Sequence, residues 1–321
     1  MKYLIGIDGG GSKTKVNCYD LTGKLISEIV TGPADYHELG IDNEILRLKD
    51  ALDRLNVDLS DSLIGFGMPA FGENKDSDEA AVSEIKKAFR CIGFHVDNDV
   101  TCAWAGATAL SPGITVVCGT GSMAVGRDPH GKFARSGGWC PFFSDEGSGY
   151  WLGLKALEIY SKQSDSRLPR GPLYEIMREH LNVKDDFEII GIIDSQYQNS
   201  REKTASLQKI LLQAAEQGDD AAVSAYEQAV SEVALLAAGV KRQLDFGDGM
   251  IDLYYAGGLF NLEEFFLEPF TCEIGKHFKA NVHPPKLTQC QGAILLALEF
   301  GDGSYGVSKE QIIEKFLSQR I

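Results

Sequence analysis

Twice along this chain an apolar, strand-like run ends in a cluster of glycines and then resumes as a second strand. The first instance is "YLIGI" (3–7), "DGGGSKT" (8–14) and "TKVNCYD" (14–20); the second is "ITVVC" (114–118), "GTGS" (119–122) and "MAVGR" (123–127). Glycine clusters bare the backbone N–H groups and suit a loop wrapped around phosphate. A P-loop needs G-x-x-x-x-G-K-[ST], whereas here Gly6 and Gly11 are followed by Ser12 before Lys13. A dinucleotide fingerprint needs its glycines to open a helix. The residues after the first cluster are not helical in pattern: Thr14, Val16 and Cys18 alternate with Lys15, Asn17 and Tyr19, then come the turn "LTGK" and the strand-like "LISEIV". The second cluster continues in the same way through the turn "DPHG" to "KFARS". Each cluster therefore joins two strands of a hairpin. A tight turn explains either one alone; the matched pair forms a weak internal repeat and predicts two hairpins that grip one polyphosphate.

The 321 residues allow two domains. A net charge of −15 argues against nucleic acid or an anionic membrane surface as partner, since both need a basic face. The seven cysteines are scattered singly with no C-x-x-C spacing, which fits a reducing cytoplasm better than a disulfide scaffold or zinc site. The chain opens on a strand-like run without a signal-peptide pattern, and no long apolar stretch reads as a membrane span.

Between the hairpins, "IDNEILRLKDALDRLN" places Ile41, Ile45, Leu48, Leu52 and Leu55 on one helical face with Asp42 as candidate N-cap. "SLIGFGMP" reads as a buried strand, "SDEAAVSEIKKAFR" as a helix, "FHVDND" as a strand and "VTCAWAGATAL" as a helix. That alternation predicts layered α/β domains, with "SPG" (111–113) as the crossover. Residues 150–246 are mostly helical in pattern, "GMIDLYYAGGLF" returns to strand, and "KLTQCQGAILLALEFG" gives a helix assigned to the second domain. "SKEQIIEKFLSQRI" is a final amphipathic helix with Ser308 as cap, packing back on the first domain. The expected division is 1–111 plus 302–321 against 112–301, with an active-site cleft between the two.

The ordered set "IDGGGSKT", "NDVTCAWAG", "CGTGSMAVG", "GGWCPFFSDEGSGYWLG", "AAEQGD", "YAGGLF" and "QGAILLA" resembles the N-acetylglucosamine kinase family and the overlapping BadF/BadG ATPase family, and covers most of the chain. The resemblance implies an α/β fold of two actin-like (ribonuclease H-like) domains. It implies an ATP-dependent kinase acting on a hydroxyl of an amino sugar, with Mg²⁺ as cofactor and a homodimer as assembly. Gly9, Gly10, Gly11, Ser12 and Thr14 would surround the β- and γ-phosphates of ATP, and Thr120, Gly121 and Ser122 would form the second phosphate loop. Asp8 would help hold Mg²⁺. Gly257 and Gly258 would let adenosine approach the backbone, with Ala215 lining the same pocket. Asp99 would be the general base that accepts the sugar proton. Gly138, Trp139 and Asp145 would contact the sugar, Asp145 as acceptor for its hydroxyls.

Simpler readings stand beside these. Asp97 and Asp99 also suit caps on the helix directly after them, Asp145 and Glu146 suit the N-terminal turn of the next helix, and Lys13 suits a solvated position. Trp139, Tyr150 and Trp151 suit core or dimer contacts as well as a sugar platform. The chain departs from the family pattern at Met123, where an asparagine often bonds the sugar, at Asp35, where a carboxylate favours an amine-bearing ligand over an acetamide, and at Pro69. A second function, an ATPase that activates a partner enzyme through an iron–sulfur cluster, would draw on Cys118 and Cys140 but lacks paired cysteines.

Overall fold

The computed structural model describes residues 1–10, 13–34, 40–72, 74–197, 200–301 and 305–319. They form two compact units, Met1–Thr115 with Pro284–Ile321, and Val116–His283. In chain order the first unit contains β1 (Tyr3–Gly9), β2 (Thr14–Asp20), β3 (Leu25–Thr31), α1 (Ile41–Asp53), β4 (Ser62–Met68), α2 (Lys75–Ala88), β5 (Gly93–Asn98) and α3 (Asp99–Thr108). The strand β6 (Gly113–Cys118) leads into β7 (Ser122–Arg127), β8 (Phe133–Gly137) and the helices α4 (Gly149–Ser164), α5 (Pro172–Leu181), α6 (Glu188–Gln196), α7 (Arg201–Ser206), α8 (Gln208–Glu216) and α9 (Asp220–Gln243). Then come β9 (Ile251–Ala256), α10 (Glu268–His277) and β10 (Ala280–His283), and the chain ends in α11 (Gln289–Glu299) and α12 (Lys309–Ser318).

Each unit is built on a five-stranded sheet, and the two sheets repeat one order: β3-β2-β1-β4-β5 and β8-β7-β6-β9-β10. In the first, β1 pairs antiparallel with β2 and parallel with β4, so the glycine hairpin and the parallel crossover share the strand β1. The weak internal repeat of the sequence is thus a repeat of sheet topology.

All seven residues of β4 are buried, as befits a strand covered on both faces. Ile5, Ile7, Ile64, Phe66 and Met68 meet Leu48, Leu52 and Leu55 of the α1 segment in one core. The helix α1 starts at Ile41 after Gly40, so Asp42 lies in its first turn instead of capping it. There its charge still faces the positive end of the helix dipole.

The helix α11 packs in the first unit, whereas its sequence position suggested the second. The reason is glycine. Gly6 and Gly65 stand opposite each other on β1 and β4, and a Cβ on either would run into the carbonyls of Cys290 or Ala293. The same close approach recurs where Gly292 meets the backbone of Cys102 and Gly106 on α3. Only bare backbone lets the helix sit this near the sheet. The last helix α12 begins with a capping box between Ser308 and Gln311, and its Phe316 is fully buried, edge-on to Tyr19 at 5.0 Å. Among the described residues no helix is long and apolar enough to cross a membrane.

Candidate active site

In the first unit the chemistry gathers where β1 ends and α3 begins. Asp8 is the penultimate residue of β1, paired with Lys15 across the hairpin and with Gly67 on β4. Its carboxyl is pushed up to about 7, first by burial and then by the charge of Asp99, with Lys15 and Lys13 acting the other way. Asp99 is the first residue of α3. The N-cap is Asn98, whose side chain accepts from Val100 N at 3.0 Å and donates to Phe71 O at 2.9 Å. Asp97 stays on the strand, accepting from Asn98 N at 2.7 Å and lying 3.5 Å from His95 Nε2. With Asn98 as the cap, the carboxylate of Asp99 needs no capping role, though its Oδ1 also lies 2.9 Å from Val100 N. Gly67 leaves room for this: a Cβ there would sit 3.2 Å from Asp99 Cα.

Gly9 and Gly10 begin the loop, with Gly10 O accepting from Ala34 N at 3.1 Å. Thr14 closes it, fully buried, its hydroxyl without a hydrogen-bond partner among the described residues. Gly11, Ser12 and Asp35, expected at phosphate and sugar, lie outside the described residues. A desolvated Asp8 with the charge of Asp99 acting on it is the hard-oxygen surrounding that suits a small divalent cation with phosphate. No group of three or more His, Cys, Asp or Glu that could hold a metal ion occurs among the described residues.

The second loop is held differently. Gly119 O accepts from Gly149 N at 2.8 Å and Thr120 O from Tyr150 N at 3.1 Å, which ties the loop to the first turn of α4. Ser122 N donates to Asp145 Oδ1 at 3.1 Å, and Ser122 Oγ to Glu146 O at 2.8 Å. Asp145 is 3% exposed, adopts a positive φ of 64°, and forms an ion pair with Arg201. The carboxylate expected to meet sugar hydroxyls is thus engaged by an arginine and a loop amide. Thr120, Gly121, Ser122 and Asp145 are brought together, and sequence reasoning missed Arg201. A single charged residue heading a polar helix, 56 positions from its partner, carries no signal of its own.

Met123 and Gly138 also meet: Gly138 has φ 65°, and a Cβ there would collide with the Met123 side chain. Trp139 is 69% exposed with the Arg135 guanidinium 5.7 Å from its ring, and Phe142 and Phe143 are exposed beside it in sequence. Gly257, at φ 105°, lies against the backbone of Cys118, while Gly258 faces open space. Ala215 differs from expectation: it is 4% exposed, packed with Leu211 and Ala214 on the buried face of α8. The motif around it does structural work, since Asp219 caps α9 and also accepts from Leu173 N and Gln163 Nε2. The Cys118 thiol is buried, contacts Gly147 O at 3.5 Å and has its pKa raised by desolvation, the reverse of a thiolate cluster ligand.

Two mixed five-stranded sheets of one order, each flanked by helices, are the actin-like fold. Within it, the chain belongs to the BadF/BadG/BcrA/BcrD ATPase family, which matches residues 5–297. It is 30% identical over 307 residues to the N-acetylmuramic acid/N-acetylglucosamine kinase of Clostridium acetobutylicum, covering 92% of this chain and 98% of that protein. It is 26% identical to the N-acetyl-D-glucosamine kinase of Dictyostelium discoideum, covering 92% and 97%. A Chromobacterium violaceum crystal structure, described as a candidate N-acetylglucosamine kinase, superposes with a TM-score of 0.77 over 92% of this chain and 99% of that one, at 24% identity.

Proposed function

We propose that this protein is an ATP-dependent kinase that phosphorylates a hydroxyl of an amino sugar, of the glucosamine, N-acetylglucosamine or N-acetylmuramic acid class. The observation that carries the reading is the Asp8–Asp99 pair beside the first glycine loop, in a chain whose full-length relatives are named as amino sugar kinases. Asp99 accepts the proton of the sugar hydroxyl as its oxygen attacks the γ-phosphorus; the bond from that phosphorus to the bridging oxygen breaks and ADP leaves. Alignment and charge neutralisation supply most of the acceleration in this reaction type. Gly9, Gly10, Gly11, Ser12 and Thr14 bind the β- and γ-phosphates, and Thr120, Gly121 and Ser122 bind phosphate at the second loop. Asp8 would hold Mg²⁺, which neutralises phosphate charge when bound. Gly257 and Gly258 offer bare backbone to adenosine.

On the sugar side the acceptor meets Asp35, Met123, Gly138 and Trp139. A carboxylate at 35 favours an amine over an acetamide, and the thioether at 123 cannot make the hydrogen bond of an asparagine, so glucosamine is the preferred acceptor. The protein works as a homodimer in the cytoplasm. A coupled ADP-release assay over a panel of hexoses and hexosamines tests the reading. ADP release is expected to require both Mg²⁺ and an amino sugar, with glucosamine ahead of N-acetylglucosamine. Hydrolysis of ATP at one rate with and without every sugar overturns it, and iron in anaerobically purified protein would then favour an activator ATPase.

A further inference from the structure

We infer that Asn98 is a positioning residue for phosphoryl transfer: it keeps the carboxylate of Asp99 aimed away from its own helix and holds the turn Met68–Gly72 beside it. This rests on the reading that Asp99 accepts the sugar proton, and names what keeps that carboxylate in place.

Asn98 ends β5 directly opposite Met68, the last residue of β4, so the turn leaving β4 and the helix following β5 start side by side. One amide side chain serves both. Its Oδ1 accepts from Val100 N at 3.0 Å in the N-cap position of α3, and its Nδ2 donates to Phe71 O at 2.9 Å. The Val100 N–H is contested, because Asp99 Oδ1 lies 2.9 Å from the same nitrogen. The turn is held on its other side as well. Gly72 N donates to Oδ2 of the buried Asp78 at 2.8 Å, and between the two anchors Ala70 adopts a positive φ of 57°. That left-handed conformation is uncommon for a residue with a Cβ.

The consequence is a competition. The first N–H groups of a helix have no intrahelical acceptor, and a carboxylate in the first turn is drawn to them. While Asn98 caps α3, the Val100 N–H is shared. Without that amide the N–H falls to Asp99 alone, whose carboxylate becomes the cap and turns from the sugar hydroxyl. The backbone of Asp99 cannot move to compensate, since α3 starts so close to β4 that a Cβ on Gly67 would sit 3.2 Å from Asp99 Cα. The change therefore falls on the direction of the side chain, and a reacting group misplaced by ~1 Å can cost ~10²-fold in rate. The bond to Phe71 O acts on a different step. A left-handed alanine persists only where its surroundings hold it, so releasing Phe71 O lets Pro69–Phe71 relax. This turn and Asp99 stand at the carboxyl ends of adjacent parallel strands, where open α/β sheets bind their ligands. The turn is thus a wall of the acceptor pocket, and Asn98 ties that wall to the base.

The test separates the two bonds. Asn98→Ala removes both, whereas Asn98→Ser keeps a capping oxygen on a side chain too short to reach Phe71 O. For each variant kcat, the sugar KM and the affinity for Mg·ADP are measured, and Asn98→Ala is also combined with Asp99→Asn. Asn98→Ala is expected to lower kcat roughly 10- to 100-fold and to raise the sugar KM severalfold, with Mg·ADP affinity within about twofold of wild type. Asn98→Ser should bring kcat back to within about threefold of wild type while the sugar KM stays raised. On Asp99→Asn, adding Asn98→Ala should cost less than about twofold in kcat, because one residue acts through the other. A merely structural cap would cost the same on both backgrounds. If Asn98→Ala does not fold, Asn98→Gly, well tolerated at an N-cap, removes the same two bonds and meets the same criteria. A crystal structure of the alanine or glycine variant reads the geometry without turnover: Asp99 turned onto Val100 N and Phe71 O displaced are expected. The inference is overturned if Asn98→Ala keeps most of its turnover, if serine does no better than alanine, if the loss repeats in full on Asp99→Asn, or if Asp99 has not moved. Wild-type protein that phosphorylates no amino sugar removes the kinase reading, and the crystal structure alone then decides this one.

Discussion

The two units repeat a sheet order but not a way of using it. In the first, the glycine loop follows Asp8, whose proton affinity is raised by burial and then by the charge of Asp99, and the sheet behind it is pressed against the bare backbone of α11. In the second, the loop is tied by hydrogen bonds to the segment 145–150 and backed by a buried ion pair. One unit sets one carboxylate against another, the other pairs its carboxylate with an arginine. A duplicated scaffold fixes where a loop emerges, and the residues beneath it decide whether that loop does chemistry or holds a shape.

The sharpest way to break this contrast is to neutralise one carboxylate in each unit. Asp99→Asn should lower kcat by ~10²–10⁴-fold, the range for loss of a general base, with Mg·ADP affinity within about threefold of wild type. Asp145→Asn, which touches no reacting atom, should instead raise KM and spare more of kcat. If Asp99→Asn keeps most of its turnover, the first unit has no acid–base role and the contrast disappears.

Next in size is a change of sign between two helical glycines. Alanine is normally the better helix residue by about 1 kcal/mol. Gly275, on α10 of the second unit, has open space where a Cβ would go, so Gly275→Ala should stabilise by up to that amount. Gly292, on α11 of the first unit, would drive its Cβ into the Cys102 carbonyl, which is backbone and cannot rotate away. Gly292→Ala should therefore destabilise by ~3 kcal/mol, the upper part of the overpacking range. Urea unfolding of both variants reads the difference, and two shifts of the same sign would show that α11 is not pressed against α3 at Gly292.

The same glycines mark what the sequence did and did not disclose. Both hairpins were readable because alternation is local: each strand's period can be counted without knowing its neighbours. The α1 face, Leu48 and Leu52, was readable for the same reason. The unit to which α11 belongs was not, because it is decided by Gly6, Gly65 and Gly106 on other elements, and a glycine in a strand announces a close approach without naming what approaches. Around the site, Asp8 and Asp99 were marked by the family resemblance of the motifs that contain them. Arg201 was not, since its partner is distant in sequence, and Ala215 and Asp219 share one motif whose structural share only the packing reveals.

A smaller effect comes from Asp8. The folded protein keeps a proton on its carboxyl up to about pH 7, while an unfolded chain releases it near 3.8. Between those values the folded state binds the extra proton, so the stability it contributes is complete below pH 3.8 and is lost as pH rises to about 7. Without metal or nucleotide, the wild-type Tm should fall from pH 5 to pH 8 by roughly a few degrees relative to Asp8→Asn, whose amide does not titrate. Parallel pH profiles for the two proteins would mean that the first unit stores no such charge.

The finest probe is Thr14. Its side chain is fully buried, and its hydroxyl has no hydrogen-bond partner among the described residues. A buried polar atom left unmatched costs about 1–3 kcal/mol, so an isosteric methyl should relieve that cost. Thr14→Val is therefore expected to raise the stability of the ligand-free protein by ~1 kcal/mol and, because the loop loses a group held ready for phosphate, to weaken Mg·ADP severalfold. The equivalent change in the second unit, Ser122→Ala, removes a hydroxyl already bonded to Glu146 O at 2.8 Å and should lower stability by about the same amount. Opposite signs from two loop hydroxyls would place the unsatisfied group in the first unit and the satisfied one in the second. If Thr14→Val destabilises the free protein as Ser122→Ala does, that hydroxyl is bonded within the fold and is not held for a ligand.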